Sequence, residues 1–142
     1  MKKTIDLRIL GIAKKAGFIE AGEETVSESA GAGAAKLIII ASDSGESTKK
    51  RAKSAAEKNS VLCVEVPVSK SELGHCIGRG ETGIVAVTDM GLAASFAEKI
   101  ASLSEECAKA AKELKERFED EKQKRTGVTA RSINVKAGRR RI

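Results

Sequence analysis

Apolar residues near the start of the chain recur at the steps of four and three that mark one face of a helix. They are Ile5, Ile9, Ile12 and Ala16, with Leu10 and Ala13 beside them. Gly17 follows directly, where a C-terminal cap belongs. The pattern therefore predicts a helix with one apolar face that ends at Gly17.

The pattern then changes to short runs of apolar and β-branched residues, which are typical of strands. The predicted strands are 18–22, 35–42, 61–66 and 82–89. The run 35–42, AKLIIIAS, is apolar almost throughout, as expected for a strand that is covered on both faces. Pro67 closes the third strand.

Helical segments separate these strands, and capping residues predict where they begin. The predicted helices are 23–30, 46–59 and 71–78. The expected capping boxes are Thr25 with Glu28 and Ser69 with Glu72, and the expected N-caps are Ser42, Asp43 and Ser44 for the second helix and Asp89 after the last strand. Strands that alternate with helices predict an α/β sandwich with a small sheet between helical layers.

A long helix is predicted after the last strand, from Gly91 to beyond residue 120. Its second half carries an apolar stripe at steps of four and three. The stripe is Leu103, Cys107, Ala111, Leu114 and Phe118, and Gly127 ends the helix. We expect the early part to pack on the domain. The later part is expected to project, pair with a second copy or fray, because so small a sheet does not cover all of it.

Length and charge predict one domain with two appendages. The 142 residues suffice for one domain, and 2% aromatic residues imply an aliphatic and alanine core. Residues 1–100 carry 14 Lys and Arg against 13 Asp and Glu, residues 101–121 carry 4 against 7, and residues 122–142 carry 8 against none. A basic tail of this kind is typical of nucleic-acid contact, and the alternative is a solvated tail that aids solubility. We predict a domain over 1–100, a helical extension over 101–125 and a basic tail over 126–142.

The composition also argues against several classes of protein. No segment approaches the apolar length of a membrane span, and the first residues lack the apolar block of a signal peptide. We therefore expect a cytoplasmic protein with no membrane partner. Cys63, Cys76 and Cys107 have neither the spacing of a disulfide framework nor that of a zinc site. We expect reduced thiols, no metal site and no cofactor.

No group of residues predicts catalysis. The Gly-x-Gly sequences at 31–33 and 78–80 precede strands, so we interpret both as turns and not as phosphate-binding loops. His75, the only histidine, adjoins Cys76 on a helix, where neighbours point to different sides. The SxxK tetrad at 47–50 is common by chance in a Lys-rich helix. We expect no enzyme and assign no catalytic residue.

Three segments in order resemble a known family. They are ILGIAKKAGFIEAGEETV at 9–26, AKLIIIASDSGESTKK at 35–50 and SELGHCIGRGETGIVAVTD at 71–89. They closely resemble the bacterial YlxQ-like branch of the kink-turn RNA-binding ribosomal protein family, which includes the L-seven-Ae, L-thirty-e, S-twelve-e and Gadd-like proteins. The resemblance spans about residues 5–100. It implies a three-layer α/β/α sandwich with a small mixed sheet, and recognition of a sharply bent RNA.

The resemblance also implies where RNA is contacted. The family's RNA-contacting turn has the pattern G-x-N-E-x-x-K, and the matching sequence here, GEETVSE, begins at Gly22. Glu24 stands in place of the asparagine, Thr25 in place of the glutamate and Glu28 in place of the lysine. The loop before the last strand, 79–83, is charged and glycine-rich where archaeal relatives are apolar, and it fits the bacterial branch.

Carboxylates in an RNA-contacting turn have two explanations. At a helix N-terminus they accept hydrogen bonds from exposed base edges such as cytosine N4. The alternative is that they only cap the helix and complement its dipole. With three glutamates in this turn, positive charge has to come from elsewhere. The expected sources are Lys36, a basic face formed by Lys49, Lys50, Arg51 and Lys53, and the tail.

We therefore predict an RNA-binding protein, ribosome-associated or similar to ribosomal proteins, whose partner is rRNA or another kink-turn RNA. The predicted RNA-binding residues are Gly22, Glu23, Glu24, Thr25, Glu28, Lys36, Arg79, Glu81, Thr82, Arg139, Arg140 and Arg141. The alternative is a protein-interaction adaptor or dimerising module on the same fold, because a fold does not fix a function. Its helical stripe, 103–118, would dock a protein partner or a second copy, and the tail would contact RNA without specificity.

Overall fold

The computed structural model describes residues 6–127, with side chains up to residue 123. Within this range the strands are β1 (Ile19–Ala21), β2 (Leu37–Ala41), β3 (Leu62–Val66) and β4 (Ile84–Val87). The helices are α1 (Arg8–Lys15), α2 (Glu23–Gly31), α3 (Glu46–Lys58), α4 (Lys70–Cys76), α5 (Met90–Ile100) and α6 (Glu105–Gly127), with a 3-10 turn at Ala101–Leu103. Each predicted strand is present and is shorter than the apolar run that predicts it.

The four strands form one mixed sheet in the order β1-β4-β2-β3. β4 pairs antiparallel with β1 and with β2, whereas β2 and β3 are parallel. All five residues of β2 are buried, which confirms that this run is covered on both faces.

Alternate side chains of β2 enter two separate cores. Leu37, Ile39 and Ala41 pack with residues of α1, α4, α5 and α6 in the larger core. Ile38 and Ile40 pack with α2 and α3 in the smaller one. Helices therefore cover both faces of a small mixed sheet, which confirms the predicted three-layer α/β/α sandwich.

The capping predictions are partly right. Ser69 and Glu72 form the expected capping box of α4, and the Asp89 carboxylate accepts the Leu92 N–H at 2.9 Å at the start of α5. The other two predictions are wrong. Gly22 and Gly45 are the N-caps of α2 and α3, and neither helix start has a side-chain cap.

The predicted apolar face of α1 is shifted in the structure. Leu10 and Ala13 are fully buried, whereas Ile12 is 58% exposed and Ala16 is also exposed. The buried face is therefore the one with Leu10 and Ala13, which the sequence pattern placed beside the predicted face. This side of α1 packs against the sheet and α5. Ile5 lies outside the described residues.

The long helix after β4 is interrupted, contrary to the prediction. α5 ends at Ile100, and Ser104 adopts an extended backbone before α6 begins. The Ser104 hydroxyl accepts the Cys107 N–H at 3.1 Å and caps the new helix. The two helices then fold back on each other, so that α6 packs chiefly on α5 and also on β3.

This reversal buries the apolar stripe of α6 inside the chain, instead of leaving it to project or fray. Cys107 and Leu114 are buried in the larger core, and Phe118 packs against it. Phe118 lies over Gly91, where an added Cβ would come within 3.2 Å of its ring. The boundaries predicted between domain, extension and tail stay a prediction, and residues 128–142 lie outside the described residues.

The buried position of Leu114 makes α6 testable as part of the core. Leu114→Ala should lower the free energy of unfolding by about 2–5 kcal/mol, because it leaves a cavity among fully buried neighbours. Lys115→Ala on the exposed side of the same turn is the control and should change it little. Urea unfolding of both variants measures the difference, and equal effects would contradict the packing of α6 on the core.

Candidate functional site

One edge of the sheet gathers four loops. β1, β2 and β3 end at this edge and β4 begins there, because β4 is antiparallel to both of its neighbours. Ile40 pairs with Ile84, and the Ala41 N–H donates to the Gly83 carbonyl at 2.9 Å. The starts of α2, α3 and α4 and the loop into β4 therefore converge on one side of the molecule.

A cleft of about 220 Å³ lies between these segments. Its lining residues are Gly22, Glu23, Ser44, Gly45, Thr48, Lys70, Arg79, Glu81, Thr82, Gly83 and Ile84. Two cations and two carboxylates are thus placed around a small, mostly polar recess. This mixture suits a ligand that presents both anionic groups and hydrogen-bond donors.

The loop 78–82 is held against α4 by short backbone hydrogen bonds. The Arg79 N–H donates to the Gly74 carbonyl at 2.8 Å, and the Thr82 N–H donates to the Lys70 carbonyl at 3.0 Å. Gly74 has no room for a side chain, because an added Cβ would collide with the Gly80 carbonyl. Glycine at residue 74 therefore lets the loop lie flat on the helix.

Ser44 and Asp43 join the remaining loops to this frame. The Ser44 hydroxyl donates to the Gly83 carbonyl at 2.8 Å, and Ser44 is almost fully buried. The Asp43 carboxylate accepts the Lys70 N–H at 2.8 Å, at the first residue of α4. The loop after β2 thus binds to both the start of α4 and the start of β4, instead of capping α3 as predicted.

Glu23 connects α2 to α3 across the cleft. One carboxylate oxygen accepts the Thr48 hydroxyl at 2.8 Å, and the other accepts the Arg51 guanidinium at 3.0 Å. The Thr48 hydrogen bond and then the Arg51 interaction lower the pKa of the Glu23 carboxyl below its ordinary value. Both oxygens of Glu23 are thereby already used within the protein.

The starts of α2 and α3 leave backbone N–H groups without caps. Gly22 precedes α2 with φ +96°, a conformation that favours glycine, and its N–H donates to the Ile84 carbonyl at 3.1 Å. Among the described residues, no side chain caps this helix or α3, whose N-cap Gly45 also lines the cleft. Two helix N-termini with free donors and positive dipole ends therefore lie beside one recess, an arrangement that favours anions.

The structure brings together five of the predicted binding residues. Gly22, Glu23, Arg79, Glu81 and Thr82 all line the cleft. The other predicted residues of the turn, Glu24, Thr25 and Glu28, lie on α2 outside the lining.

Lys36 lies at the opposite edge of the sheet. Its N–H donates to the carbonyl of Val87, where β4 ends, at 2.8 Å. The five residues of β2 separate it from the cleft by about 17 Å. Its ammonium group donates to the Gly33 carbonyl at 3.2 Å. Arg139, Arg140 and Arg141 lie outside the described residues.

Half of the predicted basic face of α3 is paired within the protein. Arg51 pairs with Glu23, and the side chain of Lys49, only 16% exposed, pairs with Glu65 at 3.4 Å. Lys50 and Lys53 are exposed on the same helix, so the positive charge expected from this face is reduced and not removed.

Among the lining residues that sequence reasoning misses, four lie after β2 and β3, which are Ser44, Gly45, Thr48 and Lys70. Ser44 is predicted as a helix cap, and Lys70 receives no role from its sequence context. The available signal is position: each of them follows the carboxyl end of a parallel strand, and those ends meet at one edge of a sheet.

The residues considered for catalysis do not assemble. His75 is exposed, and burial raises the pKa of the Cys76 thiol. Burial, followed by nearby Glu106, raises the pKa of Cys63 to about 12, so neither thiol is an activated nucleophile. Within residues 6–127 no group of three metal-ligating side chains lies together, and no helix has the length and apolarity needed to cross a membrane.

The fold and the cleft define a class: small α/β/α sandwiches that present loops and helix N-termini at one sheet edge. Within this class, the chain belongs to the ribosomal protein L7Ae/L30e/S12e/Gadd45 family, whose sequence profile matches residues 7–97.

Individual relatives agree with this assignment. The chain is 33% identical over 95 residues to a protein of Bacillus subtilis named RNA-binding protein YlxQ, covering 67% of this chain and 90% of that protein. It is 30% identical over 94 residues to a protein of the same name from Enterococcus faecium, covering 66% and 89%.

Two solved structures have a similar fold. A Bacillus halodurans protein, described as of unknown function, superposes with TM-score 0.63 at 31% identity, over 66% of this chain and 94% of that one. The 15.5kD RNA binding protein of Giardia lamblia superposes with TM-score 0.54 at 19% identity, over 77% and 83%, and this likeness concerns the fold alone.

The lowered pKa of Glu23 predicts a pH-dependent contribution to stability. Because the folded-state pKa lies below the ordinary value of 4.5, the contribution is fully present above that pH and is lost as pH falls through the folded-state pKa. Glu23→Gln should therefore cost stability at neutral pH and cost nothing in acid. The cost should be at most about 1 kcal/mol, because Arg51 is 73% exposed.

Glu24→Gln is the matched control, since it removes the same charge one residue later on the same helix. Urea unfolding at neutral and at acid pH measures both variants. A Glu23→Gln effect that persists unchanged in acid would contradict the ionic contribution.

Proposed function

We propose that the chain is an RNA-binding protein that holds structured RNA at the cleft. The observation that carries this proposal is the pair of uncapped helix N-termini beside Lys70 and Arg79. Backbone N–H groups and cations of this kind bind phosphate oxygens. Two relatives that cover about two thirds of this chain are named RNA-binding proteins, which supports the same interpretation.

The carboxylates in the turn then have different roles. Glu23 holds α2 and α3 together, so it is not available to a base. Glu24 follows it on the first turn of α2, and no described residue forms a hydrogen bond or ion pair with its side chain. In this proposal the Glu24 carboxylate accepts a hydrogen bond from an amino group of an unpaired base, as carboxylates do from cytosine N4.

The shape of the site favours bent RNA over a regular duplex. A recess of about 220 Å³ takes in a single base or phosphate group, not the side of a duplex. Sharply kinked RNA turns unpaired bases outward, whereas an A-form duplex stacks its bases inside. We assign the specificity to kink-turn RNA, in rRNA or in another structured RNA, in agreement with the resemblance.

The adaptor alternative is not favoured. It requires the apolar stripe 103–118 to be available to a partner, whereas Cys107 and Leu114 are buried in the larger core and the other members of the stripe pack against that core. The basic tail keeps a separate role: it attracts any polyanion and adds affinity without sequence preference. Ribosome association follows from this proposal if the kinked RNA is part of rRNA.

The first test compares a kink-turn RNA with a straight duplex of equal length. In fluorescence anisotropy, the full chain should prefer the kinked RNA. The triple variant Arg139→Ala/Arg140→Ala/Arg141→Ala should weaken the binding of both RNAs by the same factor. The ratio of the two affinities should stay unchanged. The variant's slope of log K against log salt should become less steep by about 0.7–0.9 for each phosphate that the tail no longer neutralises.

The outcome that contradicts kink recognition is equal binding of the two RNAs by the full chain. If the tail variant also abolishes that binding, the chain holds RNA through a general attraction for polyanions and the cleft has another use.

The second test removes the arginine that lines the cleft. Arg79→Ala should weaken binding of kinked RNA by about 1–3 kcal/mol and reduce its preference over the duplex, because the variant cannot make a charge-assisted hydrogen bond at the bend. Arg79→Lys, which keeps the charge but not the forked geometry, should recover part of the affinity.

Lys109→Ala is the matched control, since it removes one exposed cation from α6, away from the cleft. Equal reductions in affinity for Arg79→Ala and Lys109→Ala would show that only net charge matters, and would count against the cleft as the RNA site.

A further inference from the structure

A second surface feature is left unused by this function. An apolar groove of about 710 Å³ runs along α1 and across the end of α4. Its lining residues are Leu7, Arg8, Gly11, Ile12, Lys14, Lys15, Cys76, Ile77 and Gly78. Ile12 is 58% exposed, the most exposed large apolar side chain of the described residues. A concave, mainly apolar lining with a few charged groups at its rim is typical of a ligand site.

The groove is built into the packing of the two helices. At Gly11, α1 approaches so closely that an added Cβ would lie 3.3 Å from the Cys76 carbonyl oxygen. Leu10 and Ala13 turn into the core from the same helix, which leaves Ile12 on the open side. The apolar floor therefore belongs to the packed framework of the domain.

The charge of the groove selects an anionic occupant. Three of its nine lining residues are basic and none is acidic. Arg8 is paired with Asp6 at 2.8 Å, whereas no described residue forms an ion pair with the exposed Lys14 or Lys15. The terminal segments 1–5 and 128–142 are themselves basic, so charge disfavours them as occupants.

The groove and the cleft are lined by adjacent residues of the chain. Gly78 lines the groove and Arg79 lines the cleft, and adjacent Cα atoms are about 3.8 Å apart. An RNA strand that leaves the cleft past Arg79 thus meets apolar surface next, followed by two cations. The apolar face of an unpaired base is stabilised when it covers apolar side chains, and lysines neutralise the neighbouring phosphates.

We propose that the α1–α4 groove binds an unpaired nucleotide of the RNA segment that flanks the kink, with Lys14 and Lys15 at its phosphates. This inference rests on the proposed function, since it assigns the groove to the same RNA. It adds a second binding surface that contacts the single-stranded RNA segment beside the kink and not the kink itself.

The test uses the full chain and two RNAs, a kink-turn duplex without extension and the same duplex with a short unpaired extension. The extension should tighten binding by at least about fivefold, because one base covers apolar surface in the groove and the two lysines neutralise phosphates. Ile12→Glu should remove this gain in affinity and leave the affinity for the unextended RNA unchanged. Lys14→Ala/Lys15→Ala should make the salt slope for the extended RNA less steep by about 1.4, since each neutralised phosphate of a single strand contributes about 0.7.

Lys58→Ala/Lys109→Ala is the control, because it removes two exposed cations from other helices. It should change the affinity for both RNAs by the same factor. Ile12 is exposed, so its variant should keep the melting temperature of the parent, which a thermal scan verifies.

The outcomes separate the two proposals. No binding of the unextended RNA would overturn the proposed function, and the groove assignment with it. Binding of that RNA with no gain from the extension, or a gain that survives Ile12→Glu, would overturn the groove assignment alone. The groove would then suit an acidic amphipathic helix of another protein better than RNA.

Discussion

The burial of β2 on both faces is the constraint on which the rest of the structure depends. β2 pairs in parallel with β3 and antiparallel with β4, and its alternating side chains enter both cores. This arrangement sends the ends of three strands and the start of the fourth to one edge. The loops that line the cleft are therefore adjacent because of sheet topology, although they lie far apart in sequence.

Short-range hydrogen bonds then fix the geometry of that edge. Ser44 binds Gly83, Asp43 binds the start of α4, and Glu23 binds Thr48 and Arg51. Each of these hydrogen bonds joins two segments that are connected to different strands. Gly22 adopts the positive φ that is needed before α2. Gly74 lets the loop 78–82 pack closely on α4, because a side chain there would collide with the loop. Rigid support of this kind lets a small recess discriminate shape.

The sequence predicted the fold well because periodicity and strand order are strong signals. It predicted five lining residues through the resemblance. It failed where the partner of a side chain lies far away in sequence: Lys49 and Arg51 look like free cations until Glu65 and Glu23 are placed beside them. The same reason explains the break before α6, since continuous helical spacing hides a turn that the packing of α6 on α5 and β3 stabilises.

The internal pairing of charges also explains why the turn that we propose for RNA binding carries acidic residues. Glu23 joins α2 to α3 and offsets the charge of Arg51, and among the described residues that line the cleft the cations are Lys70 and Arg79. A modest field of this size attracts a phosphate at a defined point and does not hold any polyanion equally well. In the proposed function, the eight cations of residues 122–142 provide the non-specific attraction separately. The proposal thereby assigns shape selection to the cleft and non-specific affinity to the tail, so that changes in the tail alter affinity without altering the preference for bent RNA.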